Sequence, residues 1–598
     1  MGELLKFKLI IASAILALFF NFGLGLPVLA FVTVAIVGGL LCFFMLFEMF
    51  KTIRSGSFGV DILAVTAIFA TLALKEYWAS LMILIMLTGG DALENYATQK
   101  AAKELKKLLD NSPQKAHQLV DDKFITVNVA TISVGDHLLV KPGETVPVDA
   151  TIIKGSSMFD VSSLTGESMP ILKTINDTVL SGTINGDSPV MIVADKTAQD
   201  SQYQTIINLV RLSANQPAHF VRMADRYAVP FTLIAYIIAG LAWFYTKDAS
   251  RFADVLVVAS PCPLILAAPI ALISGMSRSS RNGVIVKTGT ALELLAKAET
   301  IAFDKTGTIT QGTLSVDKLI SLAELDEMTV LSYAASLEVV SNHILAKSLV
   351  LFAKDKVELF PVEELEEVIG QGIKGKINQQ FIRVGKHDFV TNDKSSLATS
   401  ETTVYISVDG QLIGYITFTD SVRDEAAQTI ERLKRLGIKQ FLMLSGDHQQ
   451  VAKTISGQVG ITEVYADCLP QDKTHILAQI KKDNRPVVMV GDGINDSPAL
   501  ALADVGIAMG INGVTAASES ADVVILKDDL TSVAEIIVIA KDTLRIAKQS
   551  VLIGIMICIV LMMIASFGVI PALFGAILQE VIDTVAILSA LRARKKRH

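Results

Sequence analysis

Asp304 closes an apolar run, Ile301-Ala302-Phe303, and opens the polar stretch Lys305-Thr306-Gly307-Thr308-Ile309-Thr310. The run reads as a buried strand and the stretch as a tight turn. In open α/β sheets, ligands gather at the carboxyl ends of strands. A carboxylate there, with a lysine beside it and hydroxyls and amides after it, suits uptake of a phosphoryl group. The aspartate attacks, while the turn and a magnesium ion neutralise the transferring charge. Two further motifs end predicted strands downstream: Leu444-Ser445-Gly446-Asp447 and Gly491-Asp492-Gly493-Ile494-Asn495-Asp496-Ser497. In one sheet, three such strand ends would deliver their carboxylates to a single pocket, as magnesium-dependent phosphoryl transfer requires.

A second set of reactive residues has apolar neighbours. Ser260-Pro261-Cys262-Pro263 interrupts an apolar run at about 253–276. Prolines there break the helix and free backbone carbonyls, which is tolerated at membrane depth where the break lines a protein cavity. A thiol at the break suits a soft or borderline cation. Glu580 and Asp583 lie three apart in the last apolar run, on one helical face from which both could reach Cys262. Charges inside an apolar span are costly and usually functional, so Glu580 reads as a ligand. Asp583 reads equally as a ligand, as a proton acceptor or as a residue near the cytoplasmic helix end. Met556, Cys558, Met562 and Met563 in the preceding run read as packing.

These residues need both a membrane and a soluble scaffold. Of 598 residues, 51% are hydrophobic and 19% charged, and the mean hydropathy is +0.49. That is too apolar for a wholly soluble chain, yet the middle is ordinarily polar, as in a membrane protein with large soluble insertions. A net charge of −7 gives no reason to expect a nucleic-acid partner. Four scattered cysteines without a Cys-x-x-Cys pair indicate neither a disulfide framework nor a zinc or copper finger. The amino-terminal residues show no metal-binding domain, and the first apolar run reads as a membrane helix rather than a signal peptide.

Apolar runs fall at about 7–25, 27–50, 58–74 and 77–97, then 228–245 and 253–276, and finally 550–568 and 571–590. Eight crossings place both soluble regions, both termini and the Lys/Arg clusters on one side, which the positive-inside rule makes the cytoplasm. Gly38-Gly39 is a kink or a close-packing site, and Asp91 with Glu94 a cation funnel or a solvated helix end. Residues 100–215 read as a small β-rich domain carrying Leu164-Thr165-Gly166-Glu167-Ser168. In 298–549, strands at Gln440–Leu444, Pro486–Val490 and Asp522–Leu526 alternate with amphipathic helices, arguing a parallel sheet. The pattern changes at 314–418, as for an inserted domain.

Together the motifs resemble the P-type ATPases, heavy-metal-transporting branch, over essentially the whole chain. The fold this implies is a multidomain α-helical membrane protein with about eight transmembrane helices. It has a β-rich actuator domain, a haloacid-dehalogenase-like α/β phosphorylation domain and an inserted α+β nucleotide-binding domain. The expected limits are 1–99 (four membrane helices), 100–215 (actuator) and 216–285 (two helices with Ser-Pro-Cys). Then come 286–313 and 419–549 (phosphorylation domain), 314–418 (nucleotide domain) and 550–598 (two helices and a basic tail). The resemblance makes Asp304 the phosphorylated nucleophile, with Lys305, Thr306, Thr308, Asp447 and Asp496 in its pocket. Mg²⁺ is held by Asp304, Asp492 and the main-chain carbonyl of Thr306, and Lys473 contacts the phosphate. Thr165, Gly166 and Glu167 form the loop whose glutamate positions the hydrolytic water.

For ATP, the resemblance implies Glu338 and His343 near adenine and Gly370, Gly372 and Gly375 as the glycine-rich segment. The family usually has His-Pro, whereas Ile344 follows His343 here. Ser260, Cys262, Glu580 and Asp583 become candidate ligands of the transported ion. One thiolate with Ser260 is a harder site than the Cys-Pro-Cys of copper pumps, favouring Zn²⁺, Co²⁺, Cd²⁺ or Fe²⁺. Relatives with Ser-Pro-Cys often carry His-Glu-Gly in the last helix; this chain has Gln579-Glu580-Val581. The resemblance thus implies ATP-driven export of a divalent transition metal across the cell membrane, with monomers as the working unit. A pump for another cargo and a membrane-anchored phosphatase without transport are the competing readings.

Overall fold

The computed structural model describes residues 3–595 except 55–61, 102–112, 122, 162–169, 202–203, 205–220, 260–261, 323–324, 342, 369–370, 392–401, 493–495 and 511–519. The chain divides into two compact units. One comprises Met1–Thr300, Ile480–Val488 and Leu500–His598; the other comprises Ile301–Gln479 and Met489–Ala499.

The first unit contains the apolar helices. Pro27–Phe47, Thr531–Ser566 and Ala572–Arg594 are long and apolar enough to cross a membrane, and Lys8–Gly23, Ile62–Ala73, Tyr77–Leu87 and Pro230–Thr246 are shorter apolar helices. Phe22, Val28, Ile36 and Phe43 stay exposed while Ala30, Val34 and Leu41 are buried. An apolar outer face of this kind fits contact with lipid, where a helix satisfies its own backbone. Helix Ser250–Val258 stops and Cys262–Arg281 begins four residues later, at the expected proline break. Polar pairs tie the helices together, among them Thr71–Ser80 and Ser550–Ser589 hydroxyl contacts of 2.7 and 2.8 Å.

Helix Thr531–Ser566 runs 36 residues without interruption. The expected start of that membrane segment, residue 550, falls in mid-helix. The first half is buried against protein, with Val533, Ile536, Ile537 and Ala540 inside, so its helical pattern passes for that of a soluble domain.

Residues 115–194 of this unit form two antiparallel sheets. The six-stranded one runs in the order Lys123–Asn128, Lys115–Val120, His137–Val140, Val190–Ala194, Ala150–Lys154, Thr178–Val179. Alternating residues Leu138, Val140, Val190 and Ile192 fill its core with Phe159, the period of two expected of a half-buried sheet.

The second unit carries the strand ending on Asp304. Thr300–Asp304 stands between Val487–Gly491 and Gln440–Leu444, with Glu463–Tyr465 beyond. The Gln440–Leu444 and Glu463–Tyr465 pair is parallel, and parallel neighbours require crossovers such as helix Gln449–Val459. A six-stranded antiparallel sheet follows in the order Thr310–Ser321, Gln411–Val422, Thr402–Val408, Gln380–Gly385, Gly372–Ile377, Glu363–Val368. Helices Glu327–Glu338 and Ile344–Ala353 pack on it around Leu331, Leu349, Ile382 and Ile406. The expected limits of the inserted domain, 314 and 418, fall inside its two twelve-residue strands.

Candidate functional site

The second unit gathers the strand-end carboxylates. After Asp304 the chain turns through Lys305–Ile309, with Gly307 at φ +70°. A Cβ at 307 would be strained and would stand 3.1 Å from the Asp492 carboxylate, so this glycine lets the turn and Asp492 meet. A Cβ at Gly491 would stand 2.8 Å from Asp496 Oδ2. Lys473, in the first turn of helix Pro470–Gln479, donates to Asp304 Oδ1 at 2.5 Å and to Asp496 Oδ1 at 2.6 Å. All three side chains are buried.

Burial raises the Asp304 carboxyl to about 7, with repulsion from Asp496 and Asp492 adding to it and Lys473 opposing it. For Lys473, burial is the largest influence and acts to lower its pKa, but Asp304 and Asp496 together outweigh it and the ammonium is stabilised. A buried charge in such a pocket has to be paired. Lys305 forms an ion pair with Asp447, whose amide donates to Ser445 Oγ at 3.0 Å. Thr308 is fully buried, and its Oγ1 has no hydrogen-bond partner among the described residues, leaving a hydroxyl for an incoming oxygen. Thr306 is exposed.

Two residues that sequence reasoning passed over hold this turn in place. Arg423 is buried; its Nε donates to Thr308 O at 3.0 Å and its Nη2 to Gly307 O at 3.2 Å. Asp420 accepts from Thr310 Oγ1 at 2.5 Å and from the Gly312 amide at 2.9 Å, and burial raises its carboxyl pKa. The available signal was position: a charged pair three apart, just where the inserted segment returns to the parent sheet.

The carboxylates of Asp304 and Asp496 share Lys473, and Asp492 adds its charge beside Asp304 and the turn. Two of these carboxylates adjoin the turn, whose main-chain carbonyls begin at Thr306, and this hard oxygen set fits a small divalent cation.

Glu338 ends one helix and His343 caps the next. His343 is exposed, its Nδ1 accepting from the Leu345 amide at 3.3 Å. Burial, with repulsion from Glu367, raises Glu338 to about 7, against a hydrogen bond from Ser341. A cleft of about 530 Å³ is lined by Glu338, Ser341, Lys347, Lys354 and Asp355. Among the described residues lining it, His343, Gly372 and Gly375 do not appear. Gly372 lies in register with Gly385, and a Cβ on either would strike the other strand; a Cβ on Gly375 would lie 2.7 Å from Val362. These glycines have a packing role of their own.

In the first unit, Gln579 and Asp583 are buried on helix Ala572–Ala590 while Glu580 is only half-buried. Gln579 Nε2 donates to Asp583 Oδ1 at 2.9 Å, and Cys558 Sγ to Gln579 Oε1 at 3.7 Å. The structure therefore brings Asp583 together with Gln579 and Cys558. Thr165, Gly166, Glu167, Ser260 and Gly370 lie outside the described residues, as does the Cys262 side chain.

Comparison with known proteins assigns families to two segments of the chain. Residues 298–504 match the haloacid dehalogenase-like hydrolases and residues 110–211 the P-type ATPase actuator domain. A zinc-transporting ATPase of Bacillus subtilis (strain 168) is 34% identical over 566 residues, covering 91% of this chain and 88% of its own. A cadmium, zinc and cobalt-transporting ATPase of Helicobacter pylori is 32% identical over 565 residues, covering 91% and 82%. The crystal structure of a zinc-transporting PIB-type ATPase in its E2.Pi state superposes with a TM-score of 0.67 at 25% identity, covering 100% of both chains. Likeness on this scale, joined to apolar helices and a lysine-held aspartate at a strand end, shows that this multi-pass membrane protein belongs to the metal-transporting P-type ATPases.

Proposed function

We propose that the chain exports a divalent transition metal, Zn²⁺, Cd²⁺, Co²⁺ or Fe²⁺, from the cytoplasm across the cell membrane, as a monomer with both termini cytoplasmic. One observation carries the catalytic half: Lys473 grips the buried Asp304 while Asp492 adjoins the turn that follows it. An Asp304 oxygen attacks the terminal phosphorus of ATP, the bond to ADP breaks, and the phosphoryl group rests on Asp304. Lys473 and the amides of the turn meet its oxygens, and Lys305, paired with Asp447, adds positive potential. Asp304, Asp492 and the Thr306 carbonyl would hold Mg²⁺, which supplies charge neutralisation when bound. Arg423 and Asp420 act as positioning residues for the turn. Glu167 orients the water that cleaves the acyl phosphate, releasing inorganic phosphate and restoring Asp304. Splitting hydrolysis into two steps lets access to the ion site change between them.

Glu338 and His343, with Gly370, Gly372 and Gly375, serve the nucleotide. Cys262 and Ser260, with Asp583 and Glu580, serve the ion. The test is ATP hydrolysis by purified protein across Zn²⁺, Cd²⁺, Co²⁺, Fe²⁺, Mn²⁺ and Cu⁺. Divalent transition metals should stimulate it, and Asp304→Asn and Cys262→Ala should abolish the stimulation. No stimulation by any of them, or stimulation surviving both Cys262→Ala and Asp583→Ala, would overturn the reading.

A further inference from the structure

Helices Thr531–Ser566 and Ala572–Ala590 bury a polar chain among apolar neighbours: Cys558 Sγ to Gln579 Oε1 at 3.7 Å, and Gln579 Nε2 to Asp583 Oδ1 at 2.9 Å. The three residues are at most 5% exposed. Ionisable and amide groups at such a depth cost free energy that apolar residues would not, so they persist where they serve an ion or substrate. The glutamine amide is held from both ends, its carbonyl by the thiol and its nitrogen by the carboxylate. A sulfur, an amide oxygen and a carboxylate oxygen are thus fixed side by side.

Two contacts set the depth of this chain against the proline break. Gly275 of helix Cys262–Arg281 packs so closely on Thr543 that a Cβ would overlap its side chain, and Gly575 packs on Val258 at the other end. Helix Cys262–Arg281 therefore runs antiparallel to Thr531–Ser566. From the Gly275–Thr543 contact, the backbone climbs about 20 Å to Cys262 on one helix and about 22 Å to Cys558 on the other, at about 1.5 Å per residue. From the Val258–Gly575 contact, Gln579 lies about 6 Å further in along its helix. The backbone at Cys262 and the Cys558–Gln579–Asp583 chain lie at one level.

We infer that Cys558 is a second sulfur ligand of the transported ion, and that Gln579 holds it beside Asp583 so that the pump selects thiophilic cations such as Cd²⁺ and Zn²⁺ over harder ones. The inference rests on the reading of the chain as a metal pump. On binding, the metal replaces the thiol proton, which passes to water, and a sulfur–metal bond takes the place of the sulfur–hydrogen bond. The Gln579 carbonyl, relieved of its thiol donor, turns its oxygen to the cation. Two thiolates with oxygen donors make a softer site than one thiolate.

The experiment uses the full-length protein in detergent and Cd²⁺ as probe. It measures the thiolate-to-cadmium charge-transfer absorption per bound ion and the metal order of ATPase stimulation. Variants are Cys558→Ser and Cys262→Ser, with Cys558→Ala replacing the serine variant if its unfolding midpoint drops. Each variant should lose about half the charge-transfer intensity, as one of two sulfurs is removed. Cys558→Ser should weaken the apparent Cd²⁺ affinity by about tenfold or more while moving Co²⁺ far less. An unchanged band and metal order in the Cys558 variant, with both altered in Cys262→Ser, overturns the inference and leaves the pump reading standing. Cd²⁺ stimulation that survives both variants overturns both. Equal weakening for every metal assigns Cys558 to packing and also overturns the inference.

Discussion

Asp304 and Asp583 are both buried aspartates, yet their neighbours differ in kind. Asp304 is gripped by the ammonium of Lys473, with Asp492 and Asp496 close by. Asp583 takes a neutral amide donor from Gln579, which in turn receives a thiol. A fixed cation prepares a carboxylate for an anionic visitor, because it stays to hold the phosphoryl oxygens once the aspartate has reacted. Gln579 is a neutral donor, and on the proposed reading it holds the carboxylate for a cationic visitor. On that reading the same side chain serves opposite tasks, and Lys473 and Gln579 mark the difference.

The largest expected effect separates the two aspartates. Asp304→Asn should eliminate the acid-stable phosphoenzyme and lower ATP hydrolysis by at least about 10⁴-fold. Asp583→Asn should retain phosphoenzyme formation from inorganic phosphate while losing its sensitivity to metal. If both variants fail in the same way, the contrast collapses. Next, Lys473→Met leaves Asp304 and Asp496 facing each other without a counter-charge. It should cost about 3–5 kcal/mol in thermal unfolding and prevent phosphorylation.

Arg423→Ala frees the carbonyls of Gly307 and Thr308 and should lower kcat by about 10- to 100-fold with little change in KM for ATP. Arg423→Lys should recover part of the loss, which steady-state kinetics would register.

A smaller effect concerns pH. Folded, Asp304 keeps its proton up to about 7, whereas an unfolded aspartate releases it near about 3.9. Between those values the folded protein binds more protons, so without divalent ions its stability should fall as pH rises through that window. Asp304→Asn should remove the slope and stabilise the metal-free protein at neutral pH by on the order of 4 kcal/mol, read from unfolding midpoints across pH. Smallest of all, nucleotide affinity should vary through pH 7 as Glu338 ionises, and Glu338→Gln should flatten a change of about threefold.

The strand-end carboxylates were legible in the sequence because glycine, aspartate and an apolar run recur together, and the sheet that places them obeys the same alternation. Asp420 and Arg423 were not. Their partners are backbone groups of the 307–312 turn, more than a hundred residues away in sequence, and a carbonyl leaves no mark on residue type. Cys558 sat among methionines and isoleucines, and only the hairpin of the last two helices shows that its sulfur meets an amide 21 residues further on. Strand Val505–Met509 escaped because its glycine and alanine blur the β-branched signature. Gln579 departs from the relatives' pattern, and only the structure shows the buried face that it shares with Asp583.

The unbroken helix Thr531–Ser566 has a mechanical consequence. At about 1.5 Å per residue it is a rod of about 54 Å, free of proline, with Asp542 clasped to Arg278 and Thr543 seated on Gly275 in its lower half and Cys558 in its upper half. Stiff rods do not absorb displacement; they pivot. With a fulcrum at the Gly275–Thr543 contact, a tilt of a few degrees at the Thr531 end would swing the sulfur of Cys558 by about an ångström, which on the inference above would stretch a sulfur–metal bond of about 2.3 Å past binding distance.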